Sequence, residues 1–176
     1  LLDFMRPRSI KGVEVVGRFL DHIDADPRLD ADRLVLAGLS NGGLGVTRSS
    51  EVHAHRWRGR IYLSAVFSDR EAARYARSVP PIPTLVLHGG ADRRIPQYAV
   101  DGGVLVLEDA GVPVQERTWD GEDHFLFFSQ RREVMAAVGE WLEKRNTLIP
   151  RCDALWADMP DLVPLHDMLD QSLDRK

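Results

Sequence analysis

Ser40 is the residue whose surroundings favour nucleophilic chemistry most clearly. It lies between two glycines in the segment Gly38-Leu-Ser40-Asn-Gly42 and follows the apolar run 34–37. That run predicts a strand buried on both faces, and the glycines predict a tight turn into a helix. A serine on such a turn exposes its hydroxyl, and the N–H of Asn41 at the start of the helix favours a developing negative charge. The segment therefore predicts a nucleophile beside an oxyanion-binding N–H.

The glycine-rich turn also allows two other interpretations. It could simply pack a strand against a helix, or its N–H groups could bind a phosphate. No Lys-Ser or Lys-Thr pair follows the glycines, and no Gly-x-Gly-x-x-Gly pattern fits the segment. Phosphate-loop and dinucleotide sites would therefore lack their ligating residues, whereas the packing alternative stays open.

The segment 38–43 resembles the nucleophile elbow of the α/β-hydrolase superfamily, in which a serine lies between a buried strand and a helix. Two later segments match the same superfamily. The resemblance implies that Asp92, in a glycine-containing loop after the apolar run 84–87, is the catalytic acid. It implies that His124, just past the last predicted strand, is the general base. It implies no cofactor and no metal.

Three alternatives to these roles come from the residues themselves. Asp92 could instead cap a helix that is expected to begin near Pro96. Asp69 is a rival acid, because it lies just past the end of the preceding predicted strand and some members of the superfamily use that position. His124 precedes the aromatic segment 125–128 and could be an ordinary packed histidine.

Alternating helical and strand patterns predict an α/β fold of about four parallel strands with flanking helices. Apolar residues recur at spacings of three and four in the helical segments, and short apolar or β-branched runs mark the strands. Ser9 is expected to cap the first helix. The predicted helices cover 9–25, 44–55, 69–78, 97–110 and 129–145, and the predicted strands cover 33–39, 59–67, 84–87 and 114–119.

The resemblance covers residues 9–146 and implies the C-terminal half of an α/β-hydrolase fold. Members of the superfamily carry several strands before the nucleophile strand, including the one whose loop donates a second oxyanion N–H. With those N-terminal strands absent, residues 33–39 are expected to form an exposed sheet edge. The missing N-terminal half, or another chain, is expected to cover that edge.

Two regions are expected along the chain. Residues 1–146 are expected to form a partial α/β-hydrolase domain, and residues 147–176 a C-terminal extension. Prolines interrupt the first part of the extension. Leu162, Leu165 and Leu169 have helical spacing and predict a short amphipathic helix within it.

The composition argues against nucleic acid and a membrane as partners. The chain of 176 residues has a formal net charge of −4, and its arginines are scattered among acids, so no basic surface for nucleic acid is expected. No apolar run is long enough to span a bilayer. The single Cys152 cannot form an internal disulfide, which fits a cytosolic enzyme and also a secreted one that is stable without bridges. Of these two, a cytoplasmic location is the expectation.

The resemblance implies a serine hydrolase that cleaves an ester or a related acyl bond through a Ser-His-Asp triad and an acyl-enzyme. The short gaps between Ser40, Asp92 and His124 leave no room for a large cap domain. The chain is therefore most similar to small cap-less esterases, thioesterases and dienelactone hydrolases, although the last usually carry Cys at the position of Ser40.

Two other functions remain as alternatives. Serine peptidases of the prolyl-oligopeptidase type end in a similar domain, so the substrate could be a peptide instead of a small-molecule ester. The chain could also be a hydrolase-like binding or interaction domain that retains the elbow for packing. The pocket residues that would choose among acyl and leaving groups lie largely outside these 176 positions.

Overall fold

Helices and strands alternate along the chain. The computed structural model describes residues 10–78 and 81–144. In chain order its elements are α1 Ile10–Ala25, β1 Leu34–Leu39, α2 Gly42–Val52, a 3-10 turn Ala54–Arg56, β2 Trp57–Leu63, α3 Asp69–Ser78, β3 Thr84–Gly89, α4 Gln97–Asp109, β4 Val114–Trp119, α5 Leu126–Ser129 and α6 Arg131–Lys144.

The chain separates into two compact units, Leu1–Val138 and Gly139–Lys176. The described part of the second unit, residues 139–144, is helical. The extension expected over 147–176, with its short helix and its cysteine, lies outside the described residues, as does the expected helix cap Ser9. Among the helices that the structure describes, none combines the length and the apolar character that crossing a membrane requires.

All four strands run parallel and lie in the order β1-β2-β3-β4. Leu39 pairs with Leu63, and Leu63 pairs with Leu87, so the first three strands end at one level. Each strand therefore delivers the loop that follows it to the same edge of the sheet. This arrangement confirms the prediction of an α/β fold with four parallel strands and flanking helices.

Burial increases toward β3, in which all six residues are buried. Tyr62, Phe67 and Leu107 are among the largest fully buried side chains of the core, and the rings of Tyr62 and Phe67 lie 4.3 Å apart. The apolar run predicted for this strand is therefore a central strand covered on both faces. By contrast, β4 is half-buried or exposed along its length, in keeping with its more polar sequence.

The prediction that residues 34–37 are buried on both faces is wrong for the described chain. Leu34, Val35 and Leu36 are only half-buried, and Ala37 is exposed. The reason is the position of β1, which pairs with β2 on one side and is the outermost strand of the described sheet. The expected exposed sheet edge is therefore present.

Two predicted elements end differently in the structure. The strand predicted over 59–67 stops at Leu63, because Ser64 has a φ of 39° and turns the chain out of the sheet. The N–H of Val66 then donates to the carbonyl of Ser40 instead of to a strand. The helix predicted over 129–145 is α6, which begins at Arg131 and ends at Lys144; the short helix α5 comes before it and was not predicted.

The free edge of β1 generates a prediction for residues 1–176 expressed alone. We expect them to form oligomers or aggregates, because unpaired N–H and C=O groups beside exposed apolar side chains promote strand pairing between molecules. Ala37→Lys should raise the monomer fraction measured by size-exclusion chromatography with light scattering. Leu105→Lys, a matched change at an exposed position on α4, should not. A wild-type segment that is a monodisperse, cooperatively melting monomer would contradict the prediction.

Candidate active site

The backbone of Ser40 has an uncommon left-handed conformation, with a φ of 54°. Three main-chain hydrogen bonds hold it. The Ser40 N–H donates to the carbonyl of Leu63 at 3.1 Å, and the Ser40 carbonyl accepts from the N–H groups of Val66 at 2.9 Å and Gly43 at 3.0 Å. A strained residue of this kind costs about 1–3 kcal/mol, so the surrounding hydrogen bonds are what keep it in place.

Two glycines allow the elbow to pack tightly. A Cβ at Gly43 would lie 2.4 Å from the carbonyl oxygen of Val66, and a Cβ at Gly38 would lie 2.6 Å from that of Gly42. A Cβ at Gly42 would meet no atom within 4 Å. Of the two glycines that flank Ser40 in the predicted tight turn, Gly38 is therefore closely packed and Gly42 is not; the second close approach is at Gly43.

A chain of hydrogen bonds joins the three residues predicted for the triad. Ser40 Oγ lies 2.8 Å from His124 Nε2, and His124 Nδ1 lies 2.8 Å from Asp92 Oδ2. The Asp92 side chain is completely buried, and that of His124 is 11% exposed. Since the carboxylate requires a donor, Nδ1 carries the proton, which leaves the lone pair of Nε2 for the serine O–H. The roles of the three residues in catalysis stay a prediction.

Asp92 is fixed by its own loop as well as by the histidine. Its Oδ1 accepts hydrogen bonds from the N–H groups of Arg94 at 2.8 Å and Ile95 at 3.0 Å. Burial would raise the pKa of Asp92, but the Ile95 N–H, the hydrogen bond from His124 and the Arg94 N–H outweigh burial and lower it below its usual value. The carboxylate is therefore ionised and oriented before any substrate arrives.

The contacts of Asp92 and Asp69 do not match the two alternatives, a helix-capping role for Asp92 and an acid role for Asp69. Helix α4 begins at Gln97 after Pro96, so the N–H groups that Asp92 binds precede the helix, and the residue does not cap it. Asp69, the rival acid, begins α3, and its carboxylate accepts the N–H of Arg70 at 2.7 Å. It is Asp92 that contacts His124.

The acid loop and the histidine loop are joined by main-chain hydrogen bonds. The N–H of Gly90 donates to the carbonyl of Trp119 at 2.8 Å, and the N–H of Ala91 donates to that of Glu122 at 2.9 Å. The loops therefore hold each other even though they follow different strands. This contact sets the distance between Asp92 and His124 independently of the side chains.

His88 belongs to the site but received no role from the sequence. It is the next-to-last residue of the buried strand β3, is 1% exposed, and its Nε2–H donates to the carbonyl of Ile95 at 2.9 Å. The same nitrogen lies 4.0 Å from Asp92 Oδ2. Burial lowers the pKa of His88, so the ring is neutral and ties down the loop that holds the acid. A histidine directly after the predicted buried strand 84–87, four residues before Asp92, was the available signal.

Asn41 directly precedes helix α2 and has a helical backbone, with φ of −58° and ψ of −16°. Its N–H group therefore belongs to the first turn, where the helix dipole favours negative charge. That location is the one required of the predicted oxyanion donor. The role itself stays a prediction.

The fold of this chain resembles that of several solved structures. Acylaminoacyl peptidase from Pyrococcus horikoshii matches with a TM-score of 0.64 and 14% identity over 78% of this chain. Dipeptidyl peptidase 4 from Porphyromonas gingivalis matches with 0.64 and 15% over 77%, and a variant of SOBER1 from Arabidopsis thaliana with 0.58 and 21% over 80%. All three are members of the α/β-hydrolase superfamily. The chain has an α/β-hydrolase fold.

The likeness is one of fold, because the identities are low. The chain spans 28% of the acylaminoacyl peptidase, 23% of the dipeptidyl peptidase and 66% of SOBER1. No family model matches the sequence. No curated protein matches it either. The fold alone does not define an activity, which depends on the residues of the site.

The close approach at the elbow predicts different effects for neighbouring glycines. Gly43→Ala should lower the free energy of unfolding by about 1–3 kcal/mol, because its Cβ would collide with a backbone oxygen that cannot rotate away. Gly42→Ala is the matched control and should have a smaller effect, since its Cβ meets open space. Urea unfolding of the full-length protein measures both. Equal losses in the two variants would contradict the packing described here.

Burial of His88 predicts a pH dependence of stability. Its pKa is lowered on folding, so its contribution is complete above the unfolded value of about 6.5 and is lost as pH falls below it. Between about pH 7.5 and 5, unfolding free energy should therefore fall less in His88→Gln than in the wild type. The exposed His55→Gln is the control and should follow the wild type. Identical pH slopes for all three proteins would refute the prediction.

Proposed function

We propose that the protein is a serine hydrolase that cleaves an ester or a related acyl bond. The observation that carries the proposal is the hydrogen-bonded chain from Ser40 through His124 to Asp92, with both contacts at 2.8 Å. A hydroxyl, an imidazole and a buried carboxylate in this order form the arrangement that activates a serine for attack on an acyl carbonyl. The α/β-hydrolase fold agrees with this chemistry.

In the proposed reaction Ser40 Oγ attacks the carbonyl carbon while His124 Nε2 takes the hydroxyl proton. Asp92 keeps the imidazole in the tautomer that can accept that proton and stabilises the imidazolium that results. His124 then gives the proton to the leaving group as the acyl carbon–oxygen bond breaks. Water, deprotonated by the same imidazole, releases the acid from the acyl-enzyme.

The oxyanion formed on attack requires hydrogen-bond donors. We propose the Asn41 N–H as one of them, because it lies in the first turn of α2 next to Ser40. We propose that the second comes from a further segment of the protein, or from another chain, that pairs with the free edge of β1. Losing one such donor typically costs about 2.7–4 kcal/mol, so residues 1–176 alone should be a poor catalyst.

Small cap-less esterases and thioesterases are the proposed relatives in function, because no cap separates the three residues in the sequence. A serine peptidase is the second candidate. It is favoured by the likeness to an acylaminoacyl peptidase and to a dipeptidyl peptidase, both with a TM-score of 0.64. Comparison of kcat/KM for an aryl ester and for a peptide anilide with the same acyl group distinguishes the two candidates.

Covalent labelling tests the proposed function directly. A fluorophosphonate should modify Ser40 in the full-length protein, identified by peptide mass spectrometry, because His124 activates that hydroxyl. Ser40→Ala should abolish labelling, and His124→Gln should slow it strongly. Ser129→Ala, which removes an exposed serine, should label like the wild type. A folded protein that remains unlabelled at Ser40 would favour a hydrolase-like binding domain instead.

A further inference from the structure

An exposed aromatic surface begins immediately after the proposed general base. Phe125 is 46% exposed and Phe128 is 49% exposed, although both are large apolar residues. The Phe125 ring lies 6.0 Å from the His124 ring in an edge-on arrangement and 6.3 Å from the Phe128 ring. Adjacent exposed aromatic rings beside reactive groups are typical of a binding surface.

A positive charge lies on this aromatic surface. The guanidinium carbon of Arg94 lies over the Phe125 ring, 5.1 Å from its centroid. The centroids of the Phe125 and His124 rings are 6.0 Å apart, so this carbon lies no more than about 11 Å from the centre of the His124 ring. An aromatic face attracts a guanidinium and fixes its plane, which leaves the N–H edge available for a planar anion.

The backbone of Arg94 is tied to the catalytic acid. Its N–H donates to Asp92 Oδ1 at 2.8 Å, so the side chain starts from a fixed point in the acid loop. Movement of the Arg94 backbone would break a hydrogen bond that also orients Asp92. The point from which the side chain extends is therefore fixed, and the Phe125 ring positions the guanidinium.

Nearby carboxylates are engaged with other groups. Both oxygens of Asp92 accept hydrogen bonds within the triad and its loop. In the histidine loop, Glu122 accepts from Ser129 and Gln130, and Asp123 accepts from the N–H of Phe125. Among the described residues, none forms a salt bridge with the exposed Arg94. Its charge can therefore pair with a ligand.

The direction of proton transfer indicates which part of a substrate would meet this surface. His124 returns its proton to the leaving group, which must therefore lie on the histidine side of Ser40. The Phe125 ring, 6.0 Å from the imidazole, and the Arg94 guanidinium over that ring are the aromatic and cationic groups next to His124. A leaving group with an aromatic or apolar body would contact the ring, and a carboxylate at its far end would reach the guanidinium.

Building on the proposed hydrolase function, we propose that Arg94 and Phe125 form a leaving-group subsite for substrates whose alcohol or amine portion carries a carboxylate. Phe125 supplies the apolar contact and orients the cation, and Arg94 supplies the charge. The subsite distinguishes anionic leaving groups from neutral leaving groups of the same shape. It makes Arg94 a determinant of specificity and leaves the bond-breaking steps to the triad.

Two matched esters test the subsite in the full-length protein. 4-Acetoxybenzoate and its methyl ester share the acetyl group and the phenol, but only the first carries a negative charge on the leaving group. The ratio of kcat/KM for the anionic ester to that for the neutral ester should fall roughly tenfold in Arg94→Met. Arg93→Met, the neighbouring exposed arginine, should leave the ratio unchanged. Raised salt should lower the ratio only where Arg94 is present.

Measuring how the product binds tests the subsite independently of the proposed reaction. 4-Hydroxybenzoate, followed by NMR titration, should bind the wild type and Arg93→Met more tightly than Arg94→Met. A protein that binds through Arg94 but hydrolyses neither ester would overturn the proposed function and support the subsite. A protein that hydrolyses both esters through Ser40, with a ratio and a binding constant insensitive to Arg94→Met, would overturn the subsite and support the proposed function.

Discussion

The left-handed backbone at Ser40 is the constraint on which the arrangement of the site depends. A serine does not adopt this conformation without support, and here the support comes from β2 and from the loop that follows it. The carbonyl of Leu63 accepts the Ser40 N–H, and Val66 donates back to the Ser40 carbonyl. That loop can reach the elbow because Ser64 turns it out of the sheet and because Gly43 has no Cβ. Ser40, the proposed nucleophile, is therefore positioned by the fold before its side chain makes any contact.

Asp92 and His124, the proposed acid and base, are held by a second and separate set of contacts. The loops after β3 and β4 bind each other through main-chain hydrogen bonds, and buried His88 ties the acid loop at Ile95. Asp92 then accepts two N–H groups on one oxygen and His124 on the other, which keeps its pKa low despite complete burial. Because parallel strands end at one edge of the sheet, the loops after β3 and β4 lie next to the turn at Ser40 without needing to be long. Such preorganisation favours the proposed proton transfer from Ser40 to His124.

A sequence pattern predicts a structural feature only where that feature depends on residues close together in the chain. The strand formed by the apolar run 84–87 and the turn formed by the glycines around Ser40 depend on neighbouring residues, so the parallel fold and the elbow could be predicted. The exposure of Ala37 and the close approach of Gly43 depend on which neighbours are present, which no local pattern contains. The same holds for Arg94, whose contact with an aromatic ring thirty-one residues later exists only after folding. Residues that act through contacts between loops were therefore missed.

The central claim is that Ser40, His124 and Asp92 act as one unit, and the non-additivity of their substitutions tests it most directly. The measurement is kcat/KM of the full-length protein toward p-nitrophenyl acetate for Ser40→Ala, His124→Gln, Asp92→Asn and the triple variant. Residues that act together lose almost everything at the first substitution. We therefore expect the triple variant to be no slower than Ser40→Ala alone. If the three single losses, added as activation free energies, reproduced the loss of the triple variant, the residues would act independently and the account would be contradicted.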